Sequence, residues 1–277
     1  MLSYQHGYHA GGFADVHKHA ALCLLIDHLL KKPAPFCVID THAGRGLYNL
    51  RDEQASKTGE WRGGIGRLAD VSPKSEGLSR YLAIVRDLNG SGEIVRYPGS
   101  PMIAAKAIRA DDRLVLVEGH PAELEALRFV FRRDPRVHVH KRDSLEALPA
   151  LVPPAEKRGL VLVDPSYEVK SEYESVPRAV SAALRRWPVG IYAVWYPILP
   201  DARHETLLDG LQAACPEMLT AELSGPARDQ GLIGTGLAVL NPPWHFAELL
   251  AEAGDEAARL LFGTAGRHVT KTEGAAA

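Results

Sequence analysis

Cysteine, net charge and long apolar runs are all scarce in this sequence, and each shortage closes off a class of protein. The three cysteines, Cys23, Cys37 and Cys215, are odd in number, far apart and free of C-x-x-C spacing. That pattern excludes a disulfide framework and offers no thiolate zinc site. A formal charge of -2 excludes a strongly basic nucleic-acid coat, though not a local basic face. The apolar runs have strand length or fall on amphipathic helical patterns, and residues 1–18 carry His, Gly and Tyr instead of an apolar signal core. No membrane span and no export signal are therefore expected, and the expected compartment is the reducing cytoplasm. Aromatics are only 7% of the chain, so Ala, Leu and Val must build the core, as they do in helix-covered parallel sheets.

What is present is rhythm. With 277 residues, 46% of them hydrophobic, the chain is long enough for one large α/β domain or two small ones. Apolar runs at 36–40, 114–118, 137–141, 160–164, 191–196, 218–223 and 237–241 predict seven strands, the last two a hairpin. A helical pattern at 15–30 precedes them and helical spacing such as that at 121–132 and 173–186 separates most of them, which predicts a doubly wound, mostly parallel sheet over a single domain, 1–277. The interval 47–97 breaks the alternation. Trp61, Ile65, Leu68, Leu78, Tyr81, Leu82, Val85 and Leu88 have helical spacing there, so an inserted helical subdomain is expected. Residues 264–277 are small and polar and are expected to fray.

In an open parallel sheet, ligands bind beyond the carboxyl ends of the strands, and the polar residues of interest lie there. The first strand runs into Asp40-Thr41-His42-Ala43-Gly44-Arg45-Gly46, a glycine turn that lets backbone approach a ligand but lacks the third glycine of a dinucleotide loop. Glu118 closes the next strand, where an acid can accept from both ribose hydroxyls; an exposed acid before a turn is the plain alternative. Asp143-Ser144 can read an adenine amino group, or Ser144 can simply cap a helix. Asp164-Pro165-Ser166-Tyr167 ends the fourth strand. There a carboxylate and the Pro165 carbonyl can accept both hydrogens of an aromatic amine and free its lone pair, with Tyr167 stacked on the ring. The alternative is a strand stopped by Asp-Pro. S-adenosylmethionine suits these acids better than a nicotinamide cofactor, because it has no pyrophosphate to cradle.

With those residues the chain resembles the RlmJ family of class I S-adenosylmethionine-dependent methyltransferases, which modify adenine N6 in bacterial 23S ribosomal RNA. The resemblance is carried by Met1-Leu2-Ser3-Tyr4-Gln5-His6, His9-Ala10-Gly11, Ala14-Asp15-Val16-His17-Lys18-His19, Asp40-Thr41-His42-Ala43-Gly44, Tyr97-Pro98-Gly99-Ser100-Pro101 and Asp164-Pro165 with Tyr167. Trp195-Tyr196-Pro197 and Asn241-Pro242-Pro243-Trp244 extend it over nearly the whole chain. It implies a Rossmann-like methyltransferase core with a helical insertion, and cofactor contacts at His19, His42, Ser100, Glu118, Asp143, Ser144 and Asp164. Gly44 joins them from the glycine turn. It also implies Asp164 as proton acceptor and Tyr4 near the target base. Ser166 stands where the family commonly has proline, and Ser144 where glycine is usual. Asn241-Pro242-Pro243-Trp244 fits the amino-methyltransferase pattern as a string, but it ends the last hairpin and reads as a strand-terminating turn.

The remaining readings concern partners. His6, His9, His17 and His19 have chelating spacing but no accompanying cysteine, and no metal is expected. Lys18 is expected to touch RNA phosphate or the acids of the site, and His6 to orient Tyr4 or the base; a solvated lysine and an ordinary loop histidine are the alternatives. From Arg45 to Arg109 there are eleven Lys/Arg and seven Asp/Glu, a candidate RNA face or else a mixed solvated surface. The expected partner is 23S ribosomal RNA and the expected state a monomer. Two other functions stay open on sequence alone: a nicotinamide-dependent oxidoreductase, and an RNA- or DNA-binding protein with a vestigial cofactor site.

Overall fold

From its first strand the chain winds outward across the sheet in both directions. The computed structural model describes residues 5–90, 92–227 and 230–274. After helix α1 (Phe13–Leu30), strand β1 (Cys37–Asp40) is buried along its whole length. The antiparallel pair β2 (Leu47–Asn49) and β3 (Arg96–Pro98) then brackets α2 (Glu53–Thr58), α3 (Glu60–Gly63) and α4 (Glu76–Asn89). Next come α5 (Ser100–Ala107), β4 (Arg113–Val117), α6 (Pro121–Phe131), β5 (Val137–His140), α7 (Ser144–Leu151) and β6 (Gly159–Val163). The chain closes with α8 (Glu172–Arg186), β7 (Ile191–Ile198), α9 (His204–Ala214), β8 (Met218–Ser224), β9 (Gly234–Leu240), α10 (Phe246–Phe262) and β10 (Arg267–Glu273).

The sheet order is β10-β8-β9-β7-β6-β1-β4-β5. From β7 to β5 all neighbours are parallel, while β9 runs antiparallel to β7 and β8. β1 therefore sits at the point where the winding reverses, with β4 on one side and β6 on the other, which is where such sheets open a ligand crevice. Apolar side chains cover both faces, one core holding residues of α1, α4, α5 and α10, the other residues of α7, α8 and α9. α1 is buried nearly all round, not on one stripe, because the sheet, α4, α5 and α10 enclose it.

Two expectations change. The sheet has eight strands, not seven, because residues 267–273 of the segment expected to fray pair with β8 from Arg267↔Ser224 to Glu273↔Met218. An edge strand is held by its backbone ladder, so it needs no apolar run and is often polar. The segment 47–97 does carry helices, and Ile65, Leu68, Leu78, Tyr81, Leu82 and Val85 are buried in the main core beside α1. Asn241 ends β9 at the opposite end of the sheet from the crevice; its amide donates to the carbonyls of Pro188 and Gly190, both at 2.7 Å. Among the described residues, no helix is long and apolar enough to cross a membrane.

Candidate active site

Four strand ends converge on a cleft of about 480 Å³, a size suited to a small ligand. After β1 the chain turns through Gly44 at φ 59°, a left-handed conformation natural to glycine. A Cβ there would lie 2.4 Å from Tyr48 Oη. The Gly44 N–H donates to Glu118 Oε2 at 2.8 Å, and His120 N–H donates to Glu118 Oε1 at 2.6 Å. Glu118 thus fastens the β1 turn to the β4 turn, and burial pushes its carboxyl above the usual range. At the end of β5, Asp143 Oδ1 caps α7 by accepting from the Leu145 and Glu146 N–H groups, each at 3.0 Å. The cap is Asp143, and Ser144 is the first helical residue. His19, His42, Gly44, Ser100, Glu118, Asp143, Ser144 and Asp164 all line the cleft, together with His6 and Lys18. Tyr4 lies outside the described residues.

Beneath the cleft is a buried charge network that spans the sequence. Lys18 Nζ donates to Asp164 Oδ2 at 2.6 Å and lies 3.0 Å from Asp15 Oδ1, with only 3% of its side chain exposed. It also sits 5.5 Å over the Trp195 ring. Of the two contacts expected for Lys18, the structure has the acid and not a surface phosphate position, because α1 enters the core at that turn. Burial alone would lower the Lys18 pKa, but Asp164 and Asp15 overcome this and raise it. Burial raises Asp164 above the usual carboxylate range against the opposing pull of Lys18. Asp40, which sequence reasoning did not single out, is 1% exposed and pushed up to about 7 by burial; it accepts from Ser100 Oγ at 2.7 Å. The missed signal was an acid closing a strand with no other polar residue.

Tyr167 is a correction. Its ring was expected to stack on a bound base, but it is 6% exposed and does not line the cleft. Its backbone turns through φ 55°, its hydroxyl donates to the Trp195 carbonyl at 2.7 Å, and its ring lies 4.7 Å from that of Tyr173. The left-handed turn sends the aromatic into the core and leaves Ser166 on the cleft wall, while Pro165, just before Ser166, is buried. The basic interval 45–109 is likewise less of an RNA face than its count suggests, since Arg45, Arg51, Arg80, Lys106 and Arg109 each pair with an acid. Tyr81 is fully buried. At the end of β5, Lys141 and Arg142 are exposed and line the cleft.

The four N-terminal histidines go to four different neighbours. His6 Nε2 donates to Asp15 at 2.9 Å, His9 meets Glu60 at 2.9 Å, and His19 Nδ1 lies 2.9 Å from Tyr97 Oη. His17 packs edge-on to His268 of β10, at 5.4 Å between centroids, with neither ring nitrogen hydrogen-bonded among the described residues. Burial pulls the His17 pKa from 6.5 to about 3. A group that binds its proton more weakly when folded contributes stability that is present above pH 6.5 and lost as the pH falls below it. His17→Leu is therefore expected to be more stable than the parent by about 1 kcal/mol at neutral pH. That advantage should widen by up to about 1.4 kcal/mol per pH unit on acidification. Asp40 acts with the opposite sign, so the comparison of variant with parent is the informative one. Urea unfolding at pH 7.5 and 5.5 measures it, and an equal difference at both would contradict the buried, neutral state of His17.

A parallel sheet reversing at β1, with an acid-lined cleft over its carboxyl ends and an antiparallel hairpin beyond β7, defines a Rossmann-like class I methyltransferase. The chain belongs to the family described as ribosomal RNA large subunit methyltransferase D, RlmJ, whose model matches residues 33–271. It is 40% identical over 251 residues to the ribosomal RNA large subunit methyltransferase J of Escherichia coli (strain K12), covering 90% of each chain. The Haemophilus influenzae protein of the same name is 41% identical over 256 residues, 91% of each. A crystal structure of a Legionella pneumophila protein superposes with a TM-score of 0.90 at 32% identity, covering 96% of this chain and 99% of that one.

Proposed function

We propose that this chain transfers a methyl group from S-adenosylmethionine to N6 of an adenine in 23S ribosomal RNA. The observation that carries the reading is Asp164 at the mouth of the strand beside the glycine turn, sharing one cleft with Glu118 and the helix-capping Asp143. The residues present suit the cofactor. Gly44 leaves backbone room, and each Glu118 oxygen, although accepting one N–H, keeps a second lone pair for a ribose hydroxyl. Bound S-adenosylmethionine supplies an electrophilic methyl carbon on its sulfonium.

The acceptor amine is a weak nucleophile because its lone pair is delocalised into the ring. Asp164 presents to it the oxygen that Lys18 does not hold, and the Pro165 carbonyl accepts the other hydrogen. Accepting both N–H bonds draws the nitrogen towards tetrahedral geometry in a water-poor site, where such contacts are strongest. Asp164 then takes the proton released as the N6–carbon bond forms. Burial raises the pKa of that carboxyl, and the charge of Lys18 opposes the rise and favours the ionised form. The target base must leave its stack to reach the cleft, and Lys141 and Arg142 at the rim suit the flanking phosphates.

Incubating the protein with S-adenosylmethionine and unmodified 23S transcript, then mapping methyladenosine by mass spectrometry, tests the whole reading; no N6-methyladenine would overturn it. Glu118→Ala is expected to weaken S-adenosylmethionine binding by about tenfold or more, from the lost ribose contact and the loosened Gly44 turn. Unchanged affinity by calorimetry would remove Glu118 from the cofactor site.

A further inference from the structure

Asp15 is 2% exposed and forms no part of the cleft wall, yet its two oxygens reach groups that do. Oδ1 lies 3.0 Å from Lys18 Nζ, whose other partner is Asp164 at 2.6 Å. Oδ2 accepts from His6 Nε2 and from the Gly11 N–H, both at 2.9 Å. His19 Nε2 stands 3.9 Å from Oδ1, and its other ring nitrogen meets the Tyr97 hydroxyl. Asp15 therefore joins the start of α1, the turn before it and, through Lys18, the end of β6.

A lysine paired to Asp164 alone would form a neutral couple and draw charge strongly from the oxygens that face the cleft. Shared between two carboxylates, the same ammonium leaves the trio with a net negative charge, so Asp164 remains a better hydrogen-bond acceptor. The shared geometry also holds Lys18 Nζ between two anchors where one would let the flexible chain shift. We propose that Asp15 is a positioning residue for methyl transfer, setting where Lys18 sits against Asp164 and tying the His6–Gly11 turn to the same point. The inference rests on the reading of Asp164 as the amine-polarising acid.

The test measures methyl transfer to unmodified 23S transcript as a function of pH for Asp15→Asn and Asp15→Glu. Asp15→Asn is expected to lower kcat by about 10- to 100-fold with KM for S-adenosylmethionine nearly unchanged. Its acid limb should move to lower pH, because the negative charge beside Asp164 is gone. Asp15→Glu keeps that charge, so its acid limb returns to the parent position while kcat stays several-fold low from the displaced oxygens. Parental kcat in Asp15→Asn, or a loss with an unmoved acid limb, overturns the inference. If Asp15→Asn does not fold, Asp15→Glu decides: parental kcat overturns the proposal, and a several-fold loss at unchanged cofactor affinity upholds it. Asp164→Asn in the same assay separates the two readings. An active Asp164→Asn removes the role of Asp164 and this inference with it, whereas an inactive one beside a parental Asp15→Asn removes the inference alone.

Discussion

Asp164→Ala is expected to abolish methyl transfer, lowering kcat by about a thousandfold or more, while S-adenosylmethionine affinity falls by only a few-fold. The first effect follows from the proposed chemistry: with the carboxylate gone, one amine hydrogen has no acceptor and the lone pair stays in the ring. The second follows from the distribution of contacts, since Glu118 and the Gly44 turn lie on other strands and keep their mutual hydrogen bond. The fold should survive as well, because Lys18 retains Asp15 at 3.0 Å as counter-ion. Transfer of labelled methyl to unmodified 23S transcript, with calorimetric titration of the cofactor, measures both. Near-normal N6-methyladenine formation by this variant would take Asp164 out of the mechanism.

Lys18→Met should have the largest effect on stability, a loss of about 3–5 kcal/mol at neutral pH. Methionine approximates the volume of the stem, so packing changes little. The charge balance changes completely, leaving Asp15 and Asp164 buried together without their cation. In the parent, burial alone would raise Asp15, but His6, Lys18 and His19 overcome this and hold it well below the usual carboxylate range. A depressed carboxyl contributes stability that is present above its unfolded pKa and lost as the pH falls through the folded one. Without Lys18 both acids bind protons more readily, so the deficit relative to the parent should shrink on acidification. Urea unfolding at pH 8 and 5.5 gives the comparison. A loss below about 1 kcal/mol, or a deficit that grows towards acid pH, would contradict the buried trio.

Much of this site is legible along the chain because its parts are local. Each strand announces itself as a short apolar run, and the polar residue that ends it marks the mouth of the crevice, so Glu118, Asp143 and Asp164 stand out as strand ends from residue order alone. What remains hidden is pairing at a distance. Lys18 and Asp164 are separated by 146 positions, and although an acid of the site was one of two contacts expected for Lys18, residue order does not choose between them or say which acid it meets. Asp15 looks like an ordinary acid in the first turn of a helix, where a carboxylate is favourable anyway; only the burial of that turn makes it a junction. Tyr167 misleads for the opposite reason, since its place in a known pattern suggests a stacking surface while its left-handed backbone sends it inward.

By itself, the sequence determined the winding and the chemistry on offer: parallel strands with acids at their carboxyl ends, a glycine turn after the first, and no cysteine framework to constrain either. These follow from periodicity and local residue type, which act over a few positions. Only the tertiary structure decided how the charges are shared, that residues 267–273 close the sheet edge, and that Tyr167 serves the core. Those outcomes depend on which surfaces exclude water from one another, and burial, which sets both the cost of a charge and the worth of its partner, is a property of the packed chain and not of any segment of it.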